Sequence, residues 1–186
     1  PGLFDRRKPY FVGQATLPPP AVPDEKPAYA WREPSDEPLK RTPLHDEHEQ
    51  MGAKLVPFAG WEMPVWYTRV SEEHQAVREA VGLFDVAHMG TLEVRGPHAA
   101  DFMDVVTVNY VRWLNDGESQ YSALLDPAGR ILDDMIVYRR AWDRYFVVVN
   151  AANFDKDWAW LNAVNEDRVR IDIDRPWVEF TQQVTL

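Results

Sequence analysis

Alternating apolar and polar residues predict several short strands in the later part of the chain. The strand-like segments are 90–96, 118–125, 131–139, 145–150 and 168–174. Proline and glycine in 126–130, and the short stretch "AWDR" at 141–144, are typical of tight turns. Because such turns join neighbouring strands, we predict that 118–125, 131–139 and 145–150 form one antiparallel meander.

Helical patterns occur elsewhere in the chain, including one that begins at Pro97. A short helix is predicted to end at Gly52, a longer one covers 71–82, and a third covers 154–165. One side of the second helix is apolar at Ala76, Val77, Ala80 and Val81. The stretch 55–67 holds two prolines and a glycine, which favours an ordered loop. This order predicts an α+β fold in which helices pack on one face of an antiparallel sheet.

Residues 1–40 differ in composition from the rest of the chain. They contain nine of its 15 prolines, which favours an extended proline-rich arm over a folded domain. Aromatic residues within the arm are Tyr10, Phe11, Tyr29 and Trp31. The arm is therefore either a mobile leader or a strap that lies on the domain, and we expect the globular part to cover 41–186.

The overall charge limits the classes of partner. A net charge of −10 and a pI near 4.9 argue against nucleic acid and anionic membranes, which both select for basic surfaces. The absence of cysteine excludes disulfides and thiolate chemistry. The sequence shows neither a signal peptide nor an apolar run of the roughly 20 residues that a membrane helix needs. A cytoplasmic protein is expected.

Two histidines and a glutamate, His45, His48 and Glu49, form a candidate metal cluster in the first predicted helix. Histidines three residues apart could share a metal ion. No third ligand group stands out, so we interpret this stretch as a solvated helix face and expect no metal.

Two adjacent aspartates, Asp133 and Asp134, lie in the middle of the 131–139 strand. Side chains alternate along a strand, so the two carboxylates must point to opposite faces. Asp134 shares its face with Ile136 and Tyr138, and this composition predicts a buried face, where an unpaired charge would be costly. Asp133 is expected to have a structural role on the other face.

The predicted hairpins bring further side chains to the face that holds Asp134. Val148 and Asn150 align on one neighbouring strand, and Tyr121 can join them from the other. A carboxylate, an amide, phenol groups and aliphatic walls are the usual components of a small-molecule pocket. The residues alone therefore indicate a binding site around Asp134 without naming its chemistry.

Five sequence blocks, in order, resemble the N-terminal half of the glycine cleavage T-protein family of aminomethyltransferases. The blocks are "RTPLHDEH", "VPFAGWEMPVWY", "VGLFDVAHMG", "QYSALLDPAGRILDDMIVYR" and "VVVNAAN". The resemblance runs from about Arg41 to about Asn165. It implies a folate-binding aminomethyltransferase-like fold, with tetrahydrofolate as co-substrate and lipoylated H-protein as partner.

The resemblance also implies roles for particular residues. Asp134 corresponds to the critical acid, which holds the pterin and favours the cationic aminomethyl species. The implied folate contacts are Met89, Tyr121, Ile136, Tyr138, Val148 and Asn150. No metal is implied. The implied reaction transfers the aminomethyl carbon from H-protein to tetrahydrofolate and releases ammonia.

Members of this family are roughly twice as long as the present chain. We therefore expect 41–186 to be the N-terminal part of the folate-binding domain, truncated and inactive without its C-terminal half. Two alternatives remain open, namely a folate-dependent demethylase of the same fold and a non-enzymatic folate-binding iron–sulfur assembly factor. Iron–sulfur assembly factors of this fold generally lack an aspartate at the position of Asp134.

Overall fold

The computed structural model describes residues 24–35 and 37–186. In chain order the α-helices and strands are α1 (His45–Gln50), β1 (Lys54–Phe58), β2 (Trp61–Trp66), α2 (Val70–Glu79), β3 (Gly90–Arg95), α3 (Ala99–Val106), β4 (Ser119–Leu125), β5 (Ile131–Ala141), β6 (Arg144–Val149) and α4 (Phe154–Asn165). Among the helices of these residues, none has the length and apolar character needed to cross a membrane.

The main sheet has four antiparallel strands in the order β3-β6-β5-β4. β4 pairs with β5 and β5 pairs with β6, so the predicted meander is confirmed. A turn at 126–130 joins the first two strands, where Asp126 accepts hydrogen bonds from the backbone N–H groups of Ala128 and Arg130. The aspartate thereby fixes the hairpin and the register that follows from it.

The hydrophobic core lies between one face of this sheet and the helices α3 and α4. Alternate residues of the strands enter the core, as a period of two requires. The core side chains include Leu92, Val94, Phe102, Met103, Val106, Met135, Val137, Tyr145, Val147, Val149, Trp160, Leu161 and Val164. The predicted α+β architecture, with helices on one face of an antiparallel sheet, is confirmed.

The predicted loop at 55–67 is instead the hairpin of β1 and β2. A two-residue turn closes it, in which Ala59 has φ 50° and Gly60 has φ 80°. Positive φ at both turn residues matches the twist of a tight hairpin. Pro57 and Pro64 are tolerated because a two-stranded sheet consists of edge strands, whose outward N–H groups need no partner.

The helix predicted at 71–82 forms, but it is shorter and its apolar side is not covered. α2 begins at Val70 and ends at Glu79, and none of its residues is buried. The Glu73 carboxylate accepts hydrogen bonds from the backbone N–H groups of Tyr67 and Thr68, which fixes the chain at the helix start. The prediction of a helix is therefore confirmed, whereas its apolar stripe lies open in the described structure.

The strand predicted at 168–174 is wrong. Val169 is buried and Ile171 packs against the core, which explains the alternation in the sequence. However, the backbone N–H of Arg170 donates to Pro27 and not to a sheet edge. The Asp172 carboxylate then accepts hydrogen bonds from two following backbone N–H groups and turns the chain.

His45 and His48 are buried, so the predicted solvated face is also wrong. The Nε2 atom of His45 lies 2.8 Å from Glu62, and that of His48 lies 2.9 Å from Asp85. The hydroxyl of Tyr67 lies 2.8 Å from Nδ1 of His48. Both imidazoles therefore join α1 to segments that are distant in sequence.

The first described residues lie along the domain as a strap. The hydroxyl of Tyr29 donates to the backbone oxygen of Lys156 at 2.8 Å, and its ring centroid lies 5.0 Å from that of Trp160. Lys26 pairs with Asp167. Within 24–35 and 37–40 no helix or strand forms, apart from an isolated bridge at Lys40. These contacts favour the strap over the mobile leader, and the rest of the predicted arm, 1–23, lies outside the described residues.

Replacing Tyr29 with phenylalanine should lower the free energy of unfolding by about 1 kcal/mol. The change removes one hydrogen bond from a half-buried carbonyl group while keeping the ring on Trp160. Urea denaturation of the two proteins measures the difference. Tyr110→Phe is the matched control, because in the described structure the Tyr110 hydroxyl is exposed and has no hydrogen bond; an equal loss there would contradict the strap.

Candidate functional site

Asp134 lies on the face of the sheet that α3 and α4 leave uncovered. Strand alternation separates Asp133 from Asp134 as predicted, but the assignment of the faces is reversed. Asp133 is buried, whereas Asp134 is exposed and Tyr121 beside it is 65% exposed. The predicted buried face around Asp134 is therefore wrong, because the helices pack on the side that holds Asp133 and Met135.

Two side chains from neighbouring strands hold the Asp134 carboxylate. The hydroxyl of Tyr121 donates to Oδ2 at 2.9 Å, and Nδ2 of Asn150 donates to Oδ1 at 2.9 Å. The bond to Asp134 raises the pKa of the Tyr121 hydroxyl, because the neighbouring negative charge opposes its ionisation. Each carboxylate oxygen keeps a further lone pair with which to accept a ligand donor.

An apolar row crosses the sheet next to this carboxylate. Tyr121 is opposite Ile136, Ile136 is opposite Val148, and Val148 is opposite Thr91. A second row contains Tyr138 opposite Phe146. The strand register therefore brings together the predicted Tyr121, Ile136, Tyr138 and Val148.

Met89 and Asn150 are the remaining predicted contacts, and both lie at the end of the sheet near Asp134. Met89 immediately precedes β3, whose Gly90 pairs with Val149. Asn150 is the residue that follows Val149. The order of the strands thus places all seven predicted residues on one open face or at its edge.

The other aspartate, Asp133, lies directly behind this face and is 5% exposed. It accepts hydrogen bonds from Nδ2 of Asn150 at 3.0 Å, from the backbone N–H of Asn150 at 3.2 Å, and from Nδ2 of Asn153 at 2.6 Å. Burial alone would raise the pKa of Asp133, but the hydrogen bonds from Asp157, Asn150 and Asn153 outweigh it and hold the pKa below its ordinary value. Asp133 is therefore a buried, ionised acceptor.

Asp157, on the first turns of α4, is a neighbour of the candidate site that the sequence analysis missed. Its side chain is 0% exposed and faces Asp133. Burial is the main cause that raises the pKa of Asp157 to about 9, and the Asp133 carboxylate adds to it. Helical spacing could have revealed that Asp157 is buried. It lies three, four and seven residues before Trp160, Leu161 and Val164, which places it on the apolar side of the helix.

The arrangement can bind a flat ligand that carries N–H donors or a positive charge. Asp134 offers two fixed acceptor oxygens, and the row from Thr91 to Tyr121 offers an apolar surface for a ring. A fixed carboxylate stabilises a cation more strongly when water is excluded, so this open face needs a cover to work at full strength.

Residues that could hold a metal ion lie elsewhere in the described structure. His45, Asp46 and Glu49 place one ligand atom each within 4.8 Å of one another. Asp46 and Glu49 are exposed, and His48 is occupied by Asp85 and Tyr67. The pair of histidines considered from the sequence is therefore not arranged as a shared site.

Comparisons with known proteins identify relatives of this chain. Residues 44–183 match the family model described as the GCVT N-terminal domain. The chain is 52% identical over 131 residues to the aminomethyltransferase of Symbiobacterium thermophilum, covering 70% of this chain and 35% of the relative. It is 54% identical over 129 residues to that of Chloroherpeton thalassium, covering 69% and 36%.

A solved structure shares the fold. The glycine cleavage system aminomethyltransferase T from Bartonella henselae matches with a TM-score of 0.65 and 42% sequence identity, covering 67% of this chain and 35% of that one. The matched part of the chain thus covers about a third of the length of the first relatives. On the family model, the sequence identity and the shared fold together, the chain belongs to the glycine cleavage T-protein family of aminomethyltransferases.

Proposed function

We propose that this chain supplies the Asp134 wall of a tetrahydrofolate-dependent aminomethyltransferase. The proposed reaction transfers the aminomethyl carbon from the lipoyl sulfur of H-protein to tetrahydrofolate. The bond from carbon to sulfur and the bond from carbon to the amine both break, the carbon becomes the methylene of methylenetetrahydrofolate, and ammonia and dihydrolipoyl H-protein are released. We propose this activity for a protein as long as the relatives, and not for the 186 residues alone.

The single observation that supports this function most is the hydrogen bonding of Asp134. Tyr121 and Asn150 fix both oxygens of its carboxylate toward the open face of the sheet. A negative charge that is held in place before reaction stabilises a developing cation without reorganisation. This is the requirement of a step in which an aminomethyl carbon becomes iminium-like.

The neighbouring residues have separate proposed roles. Ile136 and Val148 support the pterin ring, and the aromatic ring of Tyr138 extends that surface. The guanidinium of Arg140 lies 6.0 Å from the centroid of Tyr138 and 5.3 Å from that of Phe146, which orients both rings. Met89 borders the same end of the sheet as Asn150.

Ammonia release from aminomethyl-lipoyl H-protein, with and without tetrahydrofolate, tests the proposal. The assay uses the complete gene product. Release should be strongly stimulated by tetrahydrofolate and should match methylenetetrahydrofolate in amount. Turnover of a methylated amine donor, with no response to aminomethyl-lipoyl H-protein, would instead identify a demethylase. Absence of both activities together with retained folate binding would identify a non-enzymatic relative.

The 186-residue chain by itself should bind tetrahydrofolate poorly, with no saturation at micromolar concentrations. The proposed site is one open wall, and Tyr121 and Ile136 remain exposed to water. Small-molecule sites ordinarily bury about 70–90% of their ligand, which a single sheet face does not achieve. Fluorescence titration measures the binding, with the complete gene product as control; equal affinities of the two proteins would contradict the prediction.

A further inference from the structure

A line of hydrogen bonds runs through the sheet, from Asp134 on its open face to the buried Asp133. The amide of Asn150 donates one N–H to Asp134 at 2.9 Å and the other to Asp133 at 3.0 Å. Asp133 also accepts a hydrogen bond from Nδ2 of Asn153, the residue before α4, and the buried Asp157 lies one turn further along that helix. Asn150 is thus the link between the exposed carboxylate and a buried pair of acids.

The buried pair requires a proton. In the described structure no N–H group or cation donates to either oxygen of Asp157, whose side chain is fully buried. Asp133 instead receives three N–H hydrogen bonds, all from Asn150 and Asn153. Two facing carboxylates cannot both be ionised in a core, so the proton belongs to the partner without donors.

The charged groups around the pair do not change this assignment. Lys156, next to Asp157 on α4, directs its ammonium group to the backbone oxygen of Leu132 and to Asn153. Tyr29 of the strap directs its hydroxyl to the backbone oxygen of Lys156. The raised pKa of Asp157 agrees with an un-ionised carboxyl group at neutral pH.

We propose that Asp157 is a positioning residue of the transferase site, which donates its carboxyl proton to Asp133 and so fixes the carboxylate that holds Asn150 against Asp134. The inference rests on the proposed function for its catalytic consequence only. An un-ionised Asp157 keeps Asp133 as an oriented acceptor. Asn150 can then present its second N–H to Asp134 in one fixed direction.

Carbon-13 NMR of the aspartate carboxyl groups in the 186-residue chain tests the protonation directly. The Asp157 carboxyl signal should stay at its un-ionised position at pH 7 and titrate near pH 9. The side-chain amide protons of Asn150 should exchange slowly below that pH and faster above it. An Asp157 carboxyl group that is ionised at pH 7 would overturn the proposal.

Two variants of similar size separate positioning from simple packing. Asp157→Asn keeps a neutral donor and should leave the exchange of the Asn150 amide within about threefold of the parent. Asp157→Leu keeps the side-chain volume but removes the hydrogen-bond donor. Exchange of the Asn150 amide protons should then accelerate roughly tenfold or more, which corresponds to about 1.4 kcal/mol of lost protection. Asp155→Leu, an exposed position on the same helix, is the control. Equal protection in all the proteins would overturn the proposal, and the NMR of the parent remains decisive if Asp157→Leu does not fold.

Steady-state kinetics of the complete gene product test the catalytic consequence. Asp157→Leu should lower kcat roughly tenfold with little change in KM, because a displaced reactive group weakens the transition state more than substrate binding. Asp157→Asn should restore most of kcat. An inactive parent protein would refute the proposed function, yet the NMR results would still decide the state of Asp157. Equal kcat in the leucine and asparagine variants of an active protein would overturn the positioning role.

Discussion

Replacing Asp134 with asparagine should lower the turnover of the complete gene product by roughly 10²–10³. That loss is about the contribution of one preorganised electrostatic group in an active site. The substitution keeps the shape of the side chain and removes the negative charge that Tyr121 and Asn150 hold in place. The measurement is tetrahydrofolate-dependent ammonia release under saturating substrate.

The stability of the same variant should change by less than about 1 kcal/mol. Asp134 is exposed on the open face, and hydrogen bonds in such positions contribute little net free energy. Asp174→Asn is the matched control, since its side chain is also exposed and lies in the segment after α4. Full turnover in Asp134→Asn would show that the reaction does not depend on this carboxylate.

The free energy of unfolding should decrease as pH rises, because of Asp157. Its pKa is raised to about 9 in the folded chain, whereas an unfolded aspartate titrates near 4. Between these values the folded state binds a proton that the unfolded state has released. The stability contribution is fully present below about pH 4 and is lost progressively up to about pH 9, at up to about 1.4 kcal/mol for each pH unit.

Comparison with Asp157→Asn isolates this effect from the other titrating groups. The asparagine cannot ionise, so its advantage over the parent should grow with pH and level off above about pH 9. Urea denaturation between pH 5 and pH 10 measures the free energy of unfolding of both proteins. Folded Tyr29 does not ionise in this range, because burial and the nearby Asp157 carboxylate raise the pKa of Tyr29 to about 12. Parallel curves for the two proteins would mean that Asp157 is ionised in the fold.

Patterns that depend on near neighbours could be predicted from the sequence. The meander of β4, β5 and β6 follows from strand alternation and from turn residues at 126–130. Helix α4 has the predicted bounds. The grouping of Tyr121, Asp134 and Asn150 follows from the register of two short hairpins, because register and alternation fix which side chains lie side by side.

Only the tertiary structure decided which face of the sheet is covered. Alternation separates Asp133 from Asp134, but it does not tell which of them meets α4. The same limit applies to His45 and His48, whose partners Glu62 and Asp85 come from other segments, and to the buried acid Asp157. Period and spacing are local properties of the chain, whereas burial and protonation depend on which distant segments pack together.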